Sequence, residues 1–443
     1  MPAFALGATA VLILPGAANA DSLVSQAKAQ LINVVAPSGM STDASLNGAI
    51  ASNSGSANVY QDLPLDATAV TDATSGFSGI FGSGIIGVQP MGDSGQIQLA
   101  GMGQAAQANT DGSSVAYAGS VAAAPSGLSV TASPSLGTVP SGKAATVMFA
   151  WPGGLLSAHT VDAVAQFTTL EATATNPAGG SPTGTVSLDG TLTVDGNDML
   201  NAYSNTNCGF LCTDNTLSLQ YEMNQIITAY DSDSGATIAA PFVGNVTVDG
   251  ATYNSLAVPL TVNDLVTAAG ASDINALPSG VNLLSFVHTA VKTKVANTLN
   301  SILNQIITAA TNNSSQSWSA TIKSSAQATQ AKVTSDLTTF NTAVDGSFTT
   351  DLNGLGTLNT NVKTVSSSGA FTETALSVNN ATAVGSSYKI NLANATVGPN
   401  AIVSAVPILN EGGSGLIVAG AVIVLAVLGA SGFVVRRRRM VTA

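Results

Sequence analysis

Thr185-Val186-Ser187-Leu188-Asp189-Gly190 runs directly into Thr191-Leu192-Thr193-Val194-Asp195-Gly196. Apolar and hydroxyl residues alternate through both halves, the period of a strand with one face in a core and the other toward water. Asp-Gly favours a tight hairpin turn because both residues tolerate positive φ, so each pair predicts a turn. Asn245-Val246-Thr247-Val248-Asp249-Gly250 repeats the pattern, and G-x-V-x-x-D-G occurs at Gly184–Gly190 and at Gly244–Gly250. Two copies are too few for a solenoid and read as two hairpins of one antiparallel architecture. Short alternating segments separated by Gly and Asp turns over 142–280 predict an antiparallel β-sandwich.

Downstream the period changes. No proline occurs between Pro278 and Pro399. Leu284, Val287, Val291, Val295, Leu299, Ile302 and Ile306 step by three or four. Trp318, Ile322, Ala326, Val333, Leu337, Phe340, Val344 and Phe348 do the same, with Thr329 as the polar step. Each series is one apolar stripe on a helix. Asn312-Asn313-Ser314-Ser315 turns the chain, and Asp345-Gly346 is expected to end the second helix. A long α-helical hairpin is thus predicted over 281–348, with arms of about 30 residues, roughly 45 Å each. Strand alternation resumes over 349–406 with Thr374, Leu376 and Val378, then Tyr388-Lys389-Ile390-Asn391-Leu392. A sheet that resumes after the helices marks them as an insertion. Upstream, 21–141 is rich in Gly, Ser and Ala and predicts irregular structure with short strands.

The two ends carry targeting signals. Phe4 to Leu14 is apolar, Pro15-Gly16 breaks it, and Ala18-Asn19-Ala20 offers a cleavage site after Ala20. No basic residue precedes this run. At the other end a linker, 407–414, leads to Gly415–Val435, an uncharged run of 21 residues. At about 1.5 Å per residue it matches a bilayer core of roughly 30 Å. Arg436, Arg437, Arg438 and Arg439 follow, the four arginines of the chain. Positive charge stays cytoplasmic, so 436–443 is expected inside and the bulk of the chain outside. The expected location is the cell membrane, crossed once by a C-terminal transmembrane helix. Sortase substrates carry L-P-x-T-G upstream of such a helix. Val406-Pro407-Ile408-Leu409-Asn410 keeps only the proline, which favours a retained membrane anchor.

Only 8% of residues are charged, and the formal net charge is −12. Every Asp and Glu precedes residue 412, so the body is acidic and the terminus basic. An acidic body repels phosphate backbones, which excludes nucleic acid as a partner.

Little catalytic chemistry is legible. The cysteines are Cys208 and Cys212, and an exported C-x3-C pair predicts a local disulfide. The two histidines, His159 and His288, are too few and too remote from the cysteines for a zinc site or a nucleophile triad. Glu171 and Glu222 are the acids that could face one another across a sheet, as a glycosidase would need. Asp231-Ser232-Asp233-Ser234-Gly235, between strand-like segments, reads as a hydrophilic hairpin turn or as a weak structural Ca²⁺ site through Asp231 and Asp233. No other cofactor is implied.

Tyr388 to Asn400 (Tyr-Lys-Ile-Asn-Leu-Ala-Asn-Ala-Thr-Val-Gly-Pro-Asn) resembles the closing strand of actinobacterial surface proteins called choice-of-anchor G. Gly103 to Val121, with Asp111-Gly112-Ser113-Ser114 and Ala118-Gly119-Ser120-Val121, is similar to an early segment of those proteins. The resemblance implies a Gram-positive envelope protein without assigned chemistry and carries over no catalytic residue. The expected function is a non-catalytic structural or adhesive surface protein that meets a surface, wall or host ligand. The alternative is a membrane-anchored extracellular hydrolase acting on wall or glycan.

Overall fold

The computed structural model describes residues 23–35, 48–65, 88–90, 97–99, 101–121, 145–148, 161–196, 219–239, 246–248, 251–253, 258–355, 357–379 and 389–400. The signal run, both cysteines, His159, the expected membrane span and the arginines lie outside them. Among the described residues no helix is long and apolar enough to cross a membrane.

The first eight strands are β1 (Ser25–Val35), β2 (Ala49–Asn53), β3 (Val59–Leu65), β4 (Val88–Pro90), β5 (Ile97–Leu99), β6 (Met102–Ala108), β7 (Ser114–Val121) and β8 (Ala145–Met148). Then come β9 (Val161–Asn176), β10 (Thr183–Gly196), helix α1 (Leu219–Ser234), β11 (Val246–Val248), β12 (Ala251–Tyr253), β13 (Val258–Thr261) and α2 (Val262–Ala268). The chain continues through β14 (Val281–Asn282), α3 (Val287–Asn312), α4 (Ser319–Leu355), β15 (Thr357–Val365), β16 (Phe371–Asn379) and β17 (Lys389–Val397).

The fold is mainly antiparallel β, as expected. Sheet A has the order β14-β15-β16-β17-β1-β2; sheet B runs β3-β6-β7-β9-β8-β5-β4, with β10 joining β9 to β13. Among the described residues only β4 and β5 pair in parallel. The sheets pack face to face in a sandwich-like arrangement. Polar groups tie them: the Leu31 amide donates to Gln104 Oε1 at 2.6 Å, and Asn53 Nδ2 donates to the Ala108 carbonyl at 3.0 Å. The interlayer is built from small side chains. Ala27, Ala29 and Ala395 of sheet A meet Ala106, Ala116, Ala118, Ala172 and Ala174 of sheet B, all buried. Alanine leaves little volume between pleated surfaces, so such an interface tolerates added atoms poorly.

The decisive stretch forms strands, but its first Asp-Gly is not a turn. β10 is continuous through it and pairs with β9 on both sides, with a register shift at Asp189/Gly190. That is a β-bulge. Gly190 has φ +150°, and a Cβ there would overlap the Gln166 carbonyl. A bulge and a hairpin turn place the same demand on one residue, so the local sequence cannot separate them. The long partner β9 does. In the second copy, β11 and β12 pair as a hairpin with Val248 opposite Ala251, as the pattern predicts.

The amino-terminal region is more regular than expected. β1 is 11 residues long and lies between β17 and β2 in sheet A. β6 and β7 form a fully buried hairpin in sheet B. Alanine and glycine weaken strand propensity in isolation, but they suit a sheet that must pack closely on another.

β1 and β17 change their buried face along their length. Ser25, Ala27, Ala29 and Leu31 are buried at one end of β1, and Ile32 and Val34 at the other. In β17 the buried set passes from Ile390 and Leu392 to Ala395 and Val397. The change falls on the row Leu31–Ala393–Ala375–Asn361, where Ala393 and Asn361 have positive φ. On one side of the row, sheet A buries its inner face against sheet B. On the other, the alternate residues Ile32, Val34, Leu376, Val378, Ile390 and Leu392 take over the buried positions within one continuous core.

The helical hairpin is present. α3 and α4 pack together, burying Val287, Val291, Val295, Leu299 and Ile306 against Ile322, Ala326, Val333 and Phe340. The turn falls after Asn312, as predicted. α4 does not end at Asp345-Gly346 but runs 37 residues to Leu355. A glycine inside a helix costs only about 1 kcal/mol relative to alanine, too little to stop one that is packed. The hairpin connects neighbouring antiparallel strands, since Asn282 of β14 pairs with Asn359 of β15. It is therefore an insertion in sheet A. α1 lies along α4, with the Tyr230 and Trp318 rings edge to face at 6.0 Å. Its buried Met223, Ile226, Ile227 and Tyr230 are spaced as a helical stripe, a signal hidden in a region dominated by strand patterns.

Candidate functional site

Three acids are candidates for chemistry, and the fold separates them. Glu171 lies on β9 opposite Gly119 of β7. Gly119 has no side chain, so Tyr117 lies across it; a Cβ there would overlap the Tyr117 hydroxyl. That hydroxyl donates to Glu171 Oε1 at 2.7 Å. Burial raises the Glu171 pKa, and the Tyr117 hydrogen bond opposes the rise. Burial and the nearby Glu171 charge push the tyrosine up as well. Glu222, which could have faced Glu171 across a sheet, does not. It lies on α1, because the segment around it follows a helical rather than a strand period.

Glu373 of β16 is fully buried, and neither carboxylate oxygen has a hydrogen-bond partner. Desolvation raises its pKa to about 7, against a lowering contribution from the Lys363 charge. It packs on Gly184 of β10, where a Cβ would overlap its carboxylate. Gly184 shares a face of sheet B with Ala174, Val186 and Ala172, whereas Glu171 belongs to the alternate residues on the other face. Sheet B thus stands between the two raised carboxyls, and they do not form a catalytic pair.

Asp231 and Asp233 do not sit on a hairpin turn. They occupy the last turn of α1, which closes on Gly235 at φ +71°. The Asp231 carboxylate accepts from the Ile238 amide at 3.0 Å and so caps the helix end. Side chains two apart on a helix point in nearly opposite directions, at about 100° per residue. Among the described residues no three His, Cys, Asp or Glu side chains gather to hold a metal. His288 is half-buried on α3, with Nε2 3.2 Å from Thr289 Oγ1.

Strand pairing assembles one polar feature that sequence reading missed. Asn282, Asn359, Ser377, Asn391 and Asn33 fall opposite one another on β14, β15, β16, β17 and β1. They form a row of amides and one hydroxyl across five strands, each about 4.8 Å from the next. On β1 Asn33 alternates with the buried Ile32 and Val34. The asparagines are half-exposed there while Ser377 is buried between them. Ser377 Oγ and Asn391 Oδ1 have no hydrogen-bond partner within the protein. Asn282 Oδ1 is occupied by the Leu358 and Leu284 amides at 2.9 and 3.2 Å. Each residue comes from a different strand, so no sequence motif marks the row.

No family model, curated protein or solved structure matches this chain. The functional reading therefore rests on the chain's own geometry. Ala27 pairs with Val397, so the chain enters and leaves sheet A at one end. The amide row and the base of the helical hairpin lie at the other.

Proposed function

We propose that this chain is a non-catalytic adhesive or structural protein displayed on the envelope of a Gram-positive, actinobacterial cell. A membrane helix downstream of Asn400 tethers it by the end where the chain enters and leaves sheet A. The contact surface is the opposite end, where the amide row borders the hairpin. The observation that carries this reading is that separation: the start of β1 and the end of β17 meet at one end of sheet A, and an uncharged polar row lies at the other. The resemblance to choice-of-anchor G proteins points the same way.

The chemistry of the row favours a hydroxyl-rich, uncharged ligand such as a wall or host glycan. Asparagine offers both donors and acceptors. The row contains no charge to select phosphate or carboxylate and no apolar surface to select lipid. Lys389 borders it one row further out, opposite Val35. Full-length protein in detergent should bind N-acetylglucosamine oligomers or isolated wall sacculi. Asn33→Ala with Asn359→Ala should weaken that binding at least about tenfold, the loss of two to three net hydrogen bonds. Binding unchanged by the double substitution, or no binding by the wild type, would contradict the adhesive reading.

A further inference from the structure

Glu373 is remote from the proposed contact, and its surroundings are those of a core residue. It faces sheet B from the middle of the alanine-lined interlayer, with Ala395 opposite it on β17 and Lys363 opposite it on β15. Gly184 presses on it from sheet B. Neither oxygen finds a donor. A neutral carboxyl in that position costs a few unmade hydrogen bonds; an ionised one costs far more, because nothing nearby replaces the lost water. Lys363 is the one charged group among the described residues that acts on it. Ala395 of β17 and Gly184 and Ala174 of sheet B contribute no charge.

We infer that the contact between the two sheets is a proton-controlled latch, tight while Glu373 is protonated and loosened when it ionises. This does not depend on what the amide row binds. In the unfolded chain Glu373 ionises near 4.5, and in the folded chain near 7. Between those values the unfolded state holds fewer protons, so stability falls as pH rises from about 4.5 and levels off above about 7. The Tyr117–Glu171 pair on the other face of sheet B acts with the same sign through Glu171. Asp111 and Asp264, whose pKa values are lowered, act with the opposite sign and only in stronger acid.

The test is the urea midpoint of full-length protein in detergent at pH 5 and pH 8. The wild-type folding equilibrium should drop by up to about 100-fold over that range. Glu373→Gln, which cannot ionise, should lose most of the drop, while Glu171→Gln should keep the greater part of it. A Glu373→Gln protein that falls as steeply as wild type would overturn the proposal. Should that variant fail to fold, Lys363→Ala gives the second reading. Removing the positive charge should move the fall to higher pH, and a fall that stays in place would equally overturn it.

Discussion

The two ends of sheet A solve the same packing problem in opposite ways. At the end where the chain enters and leaves, Ala27, Ala29, Ala395 and Val397 are buried on the inner face against sheet B. At the far end Ile32, Val34, Leu376, Val378, Ile390 and Leu392 are buried, and the asparagines occupy the alternate positions. The strands are continuous across the change. Which alternate residues are buried therefore changes within a single strand.

That contrast makes opposite demands on volume. Leu392→Ala, at the far end, should leave a cavity and cost about 2–5 kcal/mol by denaturant titration. Ala395→Leu, at the sheet end, should overpack the interlayer beside Glu373 and cost about 1–3 kcal/mol. If Ala395→Leu were neutral, the sheets would not be closely packed there. If Leu392→Ala were neutral, the aliphatic set at that end would not be part of the core.

Much of this was legible in the sequence, for identifiable reasons. The stripes from Val287 to Ile306 and from Ile322 to Phe340 are long and strictly spaced, so the helices and their turn could be placed. Ile302 marks the limit of such reading. It is only partly buried, and Leu303 takes the inner position. The strand character of Thr185–Val194 was equally plain. Bulge or turn at Asp189-Gly190 was not, because the choice depends on β9, about 20 residues upstream in the chain. β1 and β6 were under-read because an alanine strand has almost no hydrophobic amplitude. α1 was missed because its stripe is four residues long and flanked by strand-like sequence. The amide row and the Glu373 site depend on the pairing of strands as distant as β1 and β17, which residue spacing does not encode.

The most direct test of the central claim, that the hairpin end is displayed and the opposite end tethered, uses the exposed turn at Ser314. With Cys208→Ser and Cys212→Ser in place, Ser314→Cys gives one thiol at the hairpin tip. A membrane-impermeant maleimide applied to intact cells should label it as fully as it does after lysis. Labelling that appears only after lysis would place the hairpin inside the cell and contradict the account.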